Sequence, residues 1–268
     1  MVNLEKLFGL QKPVIGVVHL PPLPGSPLYK GDMRYIVERA LKDAVSLIEN
    51  GVDGLIIENF GDKPFTKSRI PREGFALMAI ILSKIVEFSK VPVGVNVLRN
   101  DALSAMALAY VTGCEFIRVN VYTDTIVTDQ GVIEPIAWRL LNYRKRLNTR
   151  VYVFADVLVK HGKPLVNLSI EEAVKNAGYR GLADAVIITG PETGSPVEPK
   201  VLRRAKRVIG EVPIIVGSGV NPQNVIELLS IADGVIVGTY FKKEGVTENP
   251  VEGERVRKLV SIVREVFS

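Results

Sequence analysis

The sequence predicts one α/β domain folded as a (β/α)8 TIM barrel, and three observations support this fold class. Short apolar runs alternate with helical patterns eight times along 268 residues, a length close to the ~250 residues typical of such barrels. The runs are apolar throughout rather than at alternate positions, as expected for parallel strands covered on both faces. The composition, with 47% hydrophobic and 24% charged residues, has no break that would mark a linker. We therefore expect a single domain over residues 1–268.

Eight apolar runs are predicted to be the barrel strands, because each stops at a glycine or polar residue where a loop should begin. In chain order they are residues 14–18, 54–57, 91–97, 116–121, 151–157 and 183–189, the run that follows Pro213, and 234–237. Residues 122–134 and 160–164 are polar, and we expect them to be loops after the fourth and fifth strands.

Capping residues mark where several of the helices begin and end. Asp32 precedes a pattern that keeps its apolar residues on one face up to residue 50, and Gly51 stops it. Asp101 caps the pattern that ends at 113, and Ser169 with Glu172 has the spacing of a capping box that opens the fifth helix. The remaining helical patterns cover 73–89, 135–147, 199–209, 223–230 and 252–267.

The segment before the first strand, residues 1–12, carries the apolar residues Leu4, Leu7, Phe8 and Leu10. We expect it to be an N-terminal extension that covers one end of the barrel. It lacks the apolar stretch and small-residue cleavage site of a secretion signal. No apolar run approaches the ~18 residues needed to span a bilayer. These observations favour a cytoplasmic protein with no integral membrane segment.

The charge distribution argues against a nucleic-acid-binding protein, and the cysteine content argues against a disulfide-bonded one. The net charge of +5 is spread through the helices, and its densest cluster, residues 203–207, falls on a predicted surface helix. That pattern is typical of a solvated helix face and not of a nucleic-acid site. The single cysteine, Cys114, excludes an internal disulfide and is expected to be a buried structural thiol. The apolar composition is compatible with a homo-oligomer.

Two glycine turns near the end of the chain predict an anion site. The strand after Pro213 breaks into residues 217–219, and the next strand breaks into residues 238–239. Glycine lets the backbone approach a ligand closely and expose its N–H groups. Asn221 and Pro222 have the N-cap and first-turn pattern of a helix start, where free N–H groups and the dipole favour anions. Phosphate sites in these barrels commonly follow strands 7 and 8. The predicted phosphate-binding residues are Gly190, Gly217, Ser218, Gly219, Gly238 and Thr239.

Polar residues end almost every predicted strand, and in such barrels the active site lies at these strand ends. Glu58 and Asp156 directly follow apolar runs, where a carboxylate is costly to desolvate without a task or a partner. Each is interpreted as a general base or metal ligand, with a salt bridge to a neighbouring Lys or Arg as the alternative. His161 could titrate near neutrality, His19 could instead pack on its proline loop, and Lys160 could attract an anion or lie on the surface.

The candidate catalytic residues are therefore Glu58, Asp156, His161, His19 and Lys160. The candidate substrate-binding residues are Asn59, Asn96, Asn120 and Thr189, of which the middle two could otherwise cap loops.

The same strand ends narrow the reaction class. The sixth strand has no lysine at its end, which argues against the Schiff-base arrangement of class I aldolase barrels. The two histidines are far apart in sequence, which argues against a binuclear zinc hydrolase. No cofactor is required by these residues. A Mg²⁺ ion held by Glu58 and Asp156 stays open, because such sites borrow ligands from substrate phosphates.

Four segments together resemble the BtpA/SgcQ family: residues 14–25, 58–65, 156–161 and 217–219. The resemblance covers nearly the whole chain. It implies a TIM barrel of the ribulose-phosphate-binding type. The family's namesake is associated with photosystem I biogenesis in cyanobacteria, and other members sit among sugar-metabolism genes. It implies no particular reaction.

The sequence as a whole predicts a barrel that binds a small phosphorylated metabolite, such as a sugar phosphate or a phosphoribosyl or nucleotide-like compound. Strand-end carboxylates and histidines would act as acid and base in an isomerase, lyase or hydrolase. The alternative is a non-enzymatic assembly or stability factor for a protein complex, as the family's namesake suggests.

Overall fold

Eight parallel strands form a closed barrel surrounded by helices in the computed structural model, which describes residues 2–190 and 194–267. The strands in chain order are β1 (Val14–His19), β2 (Gly54–Glu58), β3 (Val93–Asn96), β4 (Phe116–Val119), β5 (Ile126–Thr128), β6 (Gly131–Ile133), β7 (Tyr152–Val157), β8 (Gly162–Pro164), β9 (Ala185–Ile188), β10 (Ile214–Val216) and β11 (Gly234–Val237). The order around the barrel is β1-β11-β10-β9-β7-β4-β3-β2, and β1 pairs with β2 to close it. The predicted fold class is confirmed.

Nine α-helices lie along the described chain. They are α1 (Leu4–Phe8), α2 (Met33–Glu49), α3 (Arg72–Phe88), α4 (Ala102–Thr112), α5 (Ala137–Arg146), α6 (Ile170–Lys175), α7 (Pro199–Ile209), α8 (Val225–Leu229) and α9 (Gly253–Phe267). The predicted caps are present: Asp32 accepts from the Tyr35 N–H at 2.8 Å, and Ser169 and Glu172 form a reciprocal capping box. None of the helices that the structure describes is long and apolar enough to cross a membrane.

The loop predicted at residues 122–134 is wrong. β5 and β6 form an antiparallel hairpin there, and β8, from the segment predicted as the loop 160–164, pairs with β5. The hairpin forms because Ile126 and Ile133 are buried opposite each other and Gly131 adopts a φ of 96° at the turn. This three-stranded sheet brings the hairpin tip, Asp129 and Gln130, over the mouth of the barrel.

The helix start predicted at Asn221 and Pro222 precedes α8, although the Asn221 backbone oxygen accepts the Val225 N–H at 3.0 Å. Asn221 Oδ1 accepts the Gln223 N–H at 2.9 Å in a local turn, and α8 begins only at Val225, after Asn224. Because α8 has five residues, we attribute no dipole contribution to the anion site predicted beside it.

The barrel interior is apolar toward the strand N-termini and polar toward the strand C-termini. Ile56, Phe116, Phe154, Ile187 and Ile236 belong to one buried interior cluster. Side chains two residues further along a strand point to the same face. That step replaces each of them by a polar residue or glycine: Glu58, Arg118, Asp156, Thr189 and Gly238. These residues form a polar layer, and the two-residue repeat of the strands sets its position above the apolar cluster.

Helix α1 lies at the apolar end. Its Phe8 packs edge-on against Phe116, with ring centroids 5.7 Å apart, and Phe116 stacks on Phe154 at 4.7 Å. A Cβ added to Gly54, the first residue of β2, would lie 2.6 Å from the Phe8 ring. The ring therefore packs at the N-terminal ends of the strands, away from the polar layer.

Candidate functional site

A cavity of about 1110 Å³ opens at the C-terminal ends of the barrel strands. Most of the predicted site residues line it: His19, Glu58, Asn96, Asn120, Lys160, His161, Gly217, Ser218, Gly219, Gly238 and Thr239. Four others do not: Asn59, Asp156, Thr189 and Gly190. The barrel thus brings together residues that are up to 220 positions apart in sequence.

Arg118, in the middle of β4, joins the two predicted carboxylates. Its Nε and Nη2 donate to the two carboxylate oxygens of Asp156 at 2.9 Å each, and its Nη1 donates to Glu58 Oε1 at 2.9 Å. Burial by itself disfavours the charge, but the two carboxylates raise the pKa of Arg118 above its ordinary value. The guanidinium is therefore a fixed positive charge in the cavity wall.

Sequence reasoning missed Arg118. The signal was an arginine inside the apolar run Phe116–Val119, two positions before Asn120 on the same strand face. A long cation in a buried strand requires a partner. The salt-bridge alternative considered for Glu58 and Asp156 is thus present, and both carboxylates share one partner.

Asp156 lies behind the guanidinium rather than in the cavity. Its side chain is fully buried, and Oδ2 also accepts from Asn120 Nδ2 at 2.9 Å. A carboxylate engaged by three donors is suited to hold Arg118 and Asn120 in place. Proton transfer to a ligand would require it to lose these bonds first.

Glu58 keeps one oxygen less engaged. Oε1 accepts from Arg118 and from Asn96 Nδ2, the latter at 3.1 Å, whereas Oε2 lies 3.9 Å from His19 Nε2. Glu58 lines the cavity. It is the carboxylate of the pair that a ligand can reach.

His19 is a neutral group at neutral pH. Burial, with smaller effects from nearby cations such as Lys242 and Lys160, lowers the pKa of His19 well below its ordinary 6.5. The ring packs on Phe60, with centroids 4.7 Å apart. His19 therefore offers hydrogen bonds to a ligand without adding charge.

Lys160 follows β7 and faces the cavity. Burial and the neighbouring Arg118 lower the pKa of Lys160 to about 8. No carboxylate oxygen of the described residues lies within 4.0 Å of its Nζ. Near neutral pH this lysine is mostly charged, and it loses the charge more readily than a surface lysine.

Four predicted site residues remain: Asn59, Thr189, Gly190 and His161. Asn59 accepts the Leu98 N–H at 2.7 Å and donates to Asp62 at 2.9 Å, so it braces two loops. Thr189 Oγ1 is buried without a hydrogen-bond partner among the residues that the structure describes. The Gly190 N–H donates to Ser218 Oγ at 3.0 Å. His161 lines the cavity with a φ of 57°.

Two glycine turns present four backbone donors to the cavity. The N–H groups of Ser218, Gly219, Gly238 and Thr239 donate to no acceptor among the residues that the structure describes. Gly219 has a φ of 68°, and a Cβ at this position would overlap the backbone of Ser195 and Pro196. Glycine is needed there for the turn itself.

Metal ligands are not grouped at this site. Within the described part of the chain, no three His, Cys, Asp or Glu side chains come together as a metal site. The Arg118 guanidinium occupies the position between Glu58 and Asp156. These two carboxylates therefore share one arginine of the protein itself as their partner.

Several buried polar atoms of residues that line the cavity have no hydrogen-bond partner within residues 2–190 and 194–267. Of the six such side-chain atoms among the described residues, four belong to cavity residues: His19 Nδ1, Arg99 Nε, Asn120 Oδ1 and Gln130 Oε1. An unsatisfied buried polar group costs roughly 1–3 kcal/mol. Their concentration at one cavity is typical of a ligand site.

Comparison with known proteins identifies the family. The profile of the BtpA family matches residues 10–265. The chain belongs to the BtpA family. The resemblance seen in the sequence is confirmed over almost the whole chain.

Relatives in the BtpA family span archaea, bacteria and animals. An uncharacterised protein of Thermococcus kodakarensis is 48% identical over 256 residues, covering 96% of this chain and 97% of the relative. The photosystem I biogenesis protein BtpA of Synechocystis is 42% identical over 264 residues, covering 98% and 92%. An uncharacterised mitochondrial protein of Caenorhabditis elegans is 34% identical, covering 98% and 97%.

Solved structures share the barrel fold. The N-(5'-phosphoribosyl)anthranilate isomerase of Pyrococcus furiosus aligns with a TM-score of 0.58 at 17% identity, covering 95% of this chain and 100% of that chain. A structure titled native KDPGal aligns with a TM-score of 0.58 at 15% identity, covering 94% and 95%. At these identities the likeness shows the fold alone.

Proposed function

We propose that the cavity binds a small phosphorylated metabolite, with its phosphate at the turns Gly217–Ser218–Gly219 and Gly238–Thr239. The observation that carries this proposal is the set of four backbone N–H groups without acceptors. Phosphate oxygens are strong acceptors, and clustered backbone N–H groups form concavities suited to them. The turns follow neighbouring strands β10 and β11, so one phosphate can reach both.

The charges around the cavity support an anionic ligand. Of the described residues that line it, five are cationic and three are acidic. The cations are Arg118, Arg99, Lys160, Lys63 and Arg255, and the acids are Glu58, Asp129 and Glu248. Burial lowers the pKa of His19 so far that a neutral ring faces the ligand. Cations in a cleft with apolar walls focus potential onto an anion.

Glu58 is the base in the proposed chemistry. Its carboxylate would remove a proton from a carbon beside a carbonyl group, and the electron pair of that C–H bond would move onto the carbonyl oxygen. Arg118 or Lys160 would stabilise the negative oxygen. Return of the proton to the former carbonyl carbon, with the hydroxyl of the α carbon passing its proton to the enolate oxygen and becoming the new carbonyl, gives an isomerase. Departure of a group with its electron pair from the β carbon, as the original carbonyl re-forms, gives a lyase.

The names of structural neighbours agree with this proposal. N-(5'-phosphoribosyl)anthranilate isomerase carries a phosphoribosyl compound and an isomerisation in its name. Because its identity to this chain is 17%, it supports the class of ligand only. The backbone donors at the two turns and the Glu58 carboxylate are the features of this chain that support the proposed ligand and reaction.

Calorimetric titration with inorganic phosphate and ribose 5-phosphate tests the binding. Thr239→Asp places a negative charge beside the turn, and Thr239→Asn is the matched neutral control; both lose the bond to Thr247 Oγ1. We expect the Asp variant to bind at least about tenfold more weakly than the Asn variant, because like charges a few ångströms apart repel by several RT. Equal affinities would contradict the phosphate site.

Deuterium incorporation from D2O into a bound sugar phosphate, followed by NMR, tests the chemistry. Glu58→Gln should retain ligand affinity. Its rate of deuterium incorporation should fall by at least about 100-fold, the usual effect of losing a general base. Glu248→Gln, at an exposed position on the rim of the same cavity, is the control and should retain the exchange. Exchange that survives Glu58→Gln would assign the base elsewhere.

A second candidate role is a non-enzymatic assembly or stability factor for a protein complex. It is favoured by 42% identity to a relative named as a photosystem I biogenesis protein. Affinity capture from the source cells distinguishes the two roles. An assembly factor would retain its partner in the Glu58→Gln and Thr239→Asp variants and bind no phosphorylated ligand.

A further inference from the structure

Arg99 is a buried cation without a carboxylate contact. It is 4% exposed, follows β3 and lines the cavity. Among the residues that the structure describes, no Asp or Glu oxygen lies within 4.0 Å of its guanidinium. Its Nη2 donates to the backbone oxygen of Lys160 at 2.5 Å, whereas Nε has no acceptor in the described part of the chain.

Arg118 provides the contrast within the same cavity. Both arginines are 4% exposed, but Arg118 has two carboxylates in hydrogen-bond contact. Asp156, Asp129 and Glu58 act on Arg99 only from beyond contact distance. Buried charges are normally paired because desolvation is costly. Arg99 therefore lines the cavity with a charge that no contacting carboxylate of the described residues offsets.

The strand before Arg99 and the strands before the glycine turns are well separated around the barrel. Around the closed barrel, β3 is four strands away from β10 in either direction. Lys160 follows β7, which lies two strands from β3. Arg99 and Lys160 are joined by the hydrogen bond to the Lys160 backbone. A ligand held at both places must reach from the turns after β10 and β11 to the Arg99 guanidinium beside Lys160, and Arg118 and Glu58 line the same cavity.

We propose that Arg99 and Lys160 form a second anion subsite, so that the ligand carries a phosphate at one end and a carboxylate or second phosphate at the other. The inference rests on the proposed phosphate site at the glycine turns, and it names the ligand class of that site. A guanidinium suits both anions because its planar N–H groups match their oxygen spacing. The reacting carbons then lie between the two anions, next to Glu58.

Matched ligand pairs test this subsite by calorimetry. The pair 6-phosphogluconate and sorbitol 6-phosphate differs by one carboxylate, and fructose 1,6-bisphosphate and fructose 6-phosphate differ by one phosphate. We expect the ligand with two anions to bind at least about tenfold more tightly in one of the two pairs, as charge-assisted bonds to a desolvated arginine provide. The pair that has this preference identifies the second anion.

Variants assign the preference to Arg99. Arg99→Gln should reduce it to about threefold or less and leave the affinity for the single-phosphate ligand within about threefold. Arg99→Lys retains the positive charge and should retain part of the preference for the ligand with two anions. Arg207→Gln, on the exposed face of α7, is the control and should change neither. Thermal unfolding establishes that each variant is folded.

The outcomes separate this inference from the phosphate site itself. Absence of binding by all four ligands would reject the proposed function. Binding of the single-phosphate ligands without preference for either partner ligand would overturn the second subsite alone. That comparison uses the unaltered protein, so it holds even where an Arg99 variant fails to fold. Equal weakening of both members of a pair by Arg99→Gln would also overturn it.

Discussion

Arg118 places a charge in a barrel whose layer below, at Phe116 and Phe154, is apolar and tightly stacked. The charge is stable there because Asp156 binds two of its nitrogens and Glu58 binds the third. Asp156 is thereby a positioning residue, and Glu58 is held with one oxygen toward the cavity. The site depends on this bridge both for stability and for geometry.

Replacing Arg118 by Met should destabilise the protein by roughly 3–5 kcal/mol, because two buried carboxylates lose their cation. Urea unfolding followed by circular dichroism measures the loss. The triple variant Glu58→Gln, Arg118→Met, Asp156→Asn removes the charges together and should recover much of it. A single Arg118→Met variant as stable as the parent would contradict the bridge.

Lys160 should make ligand affinity depend on pH. Burial and Arg118 lower the pKa of Lys160 to about 8, so its positive charge is present below that pH and is lost above it. The ligand phosphate is already dianionic, since its second pKa is ~6. We therefore expect affinity for a phosphorylated ligand to fall between pH 7 and pH 9, measured by calorimetry at both ends.

Lys160→Arg is the control for this pH dependence, because arginine stays charged throughout the range. Lys242 has a pKa that burial also lowers to about 8, and it is unchanged in the variant. A fall in affinity that persists in Lys160→Arg would assign the effect to another group. A flat profile in the variant assigns it to Lys160.

At the scale of elements, local signals predicted helices better than connections. α7 begins at Pro199 and ends at Ile209, as predicted, because a proline opens it and a strongly amphipathic pattern fills it. The hairpin of β5 and β6 was missed because its strands have three residues each, too few for a periodic pattern. Asn221 and Pro222 resemble a helix start, but the Asn221 side chain closes a turn instead.

Helix α1 contributes stability without contributing to the site. Phe8 is 7% exposed and packs on Phe116 at the N-terminal ends of the strands. Phe8→Ala should cost roughly 3–5 kcal/mol of unfolding free energy, as for other large buried aromatics. Val266→Ala, at an exposed position, is the control and should cost little.

The affinity for a phosphorylated ligand should be the same in Phe8→Ala and in the parent, measured where both are folded. Phe8 lies at the opposite end of the barrel from the polar layer. A large change in ligand affinity with unchanged stability would show that α1 influences the site. It would contradict the separation of the stabilising end of the barrel from the ligand-binding end.

For the whole molecule, the sequence was sufficient for the fold and for most of the cavity. Eight apolar runs imply one barrel, and a barrel brings every strand end to one rim. The rim then collects Glu58, Lys160 and both glycine turns. What the runs cannot indicate is which strand-end groups face one another. Arg118 is paired because distant strands place carboxylates against it, and Arg99 is not paired because the described residues place none there. Neither outcome can be inferred from the apolar runs.

The central claim is that backbone donors at two glycine turns hold a phosphate group. The most direct test is an NMR titration of ¹⁵N-labelled protein with inorganic phosphate and with ribose 5-phosphate. We predict saturable shifts, with a common dissociation constant, for the amide signals of Ser218, Gly219, Gly238 and Thr239. Shifts confined to the basic surface of α7, with these four amides unmoved at saturation, would contradict the claim.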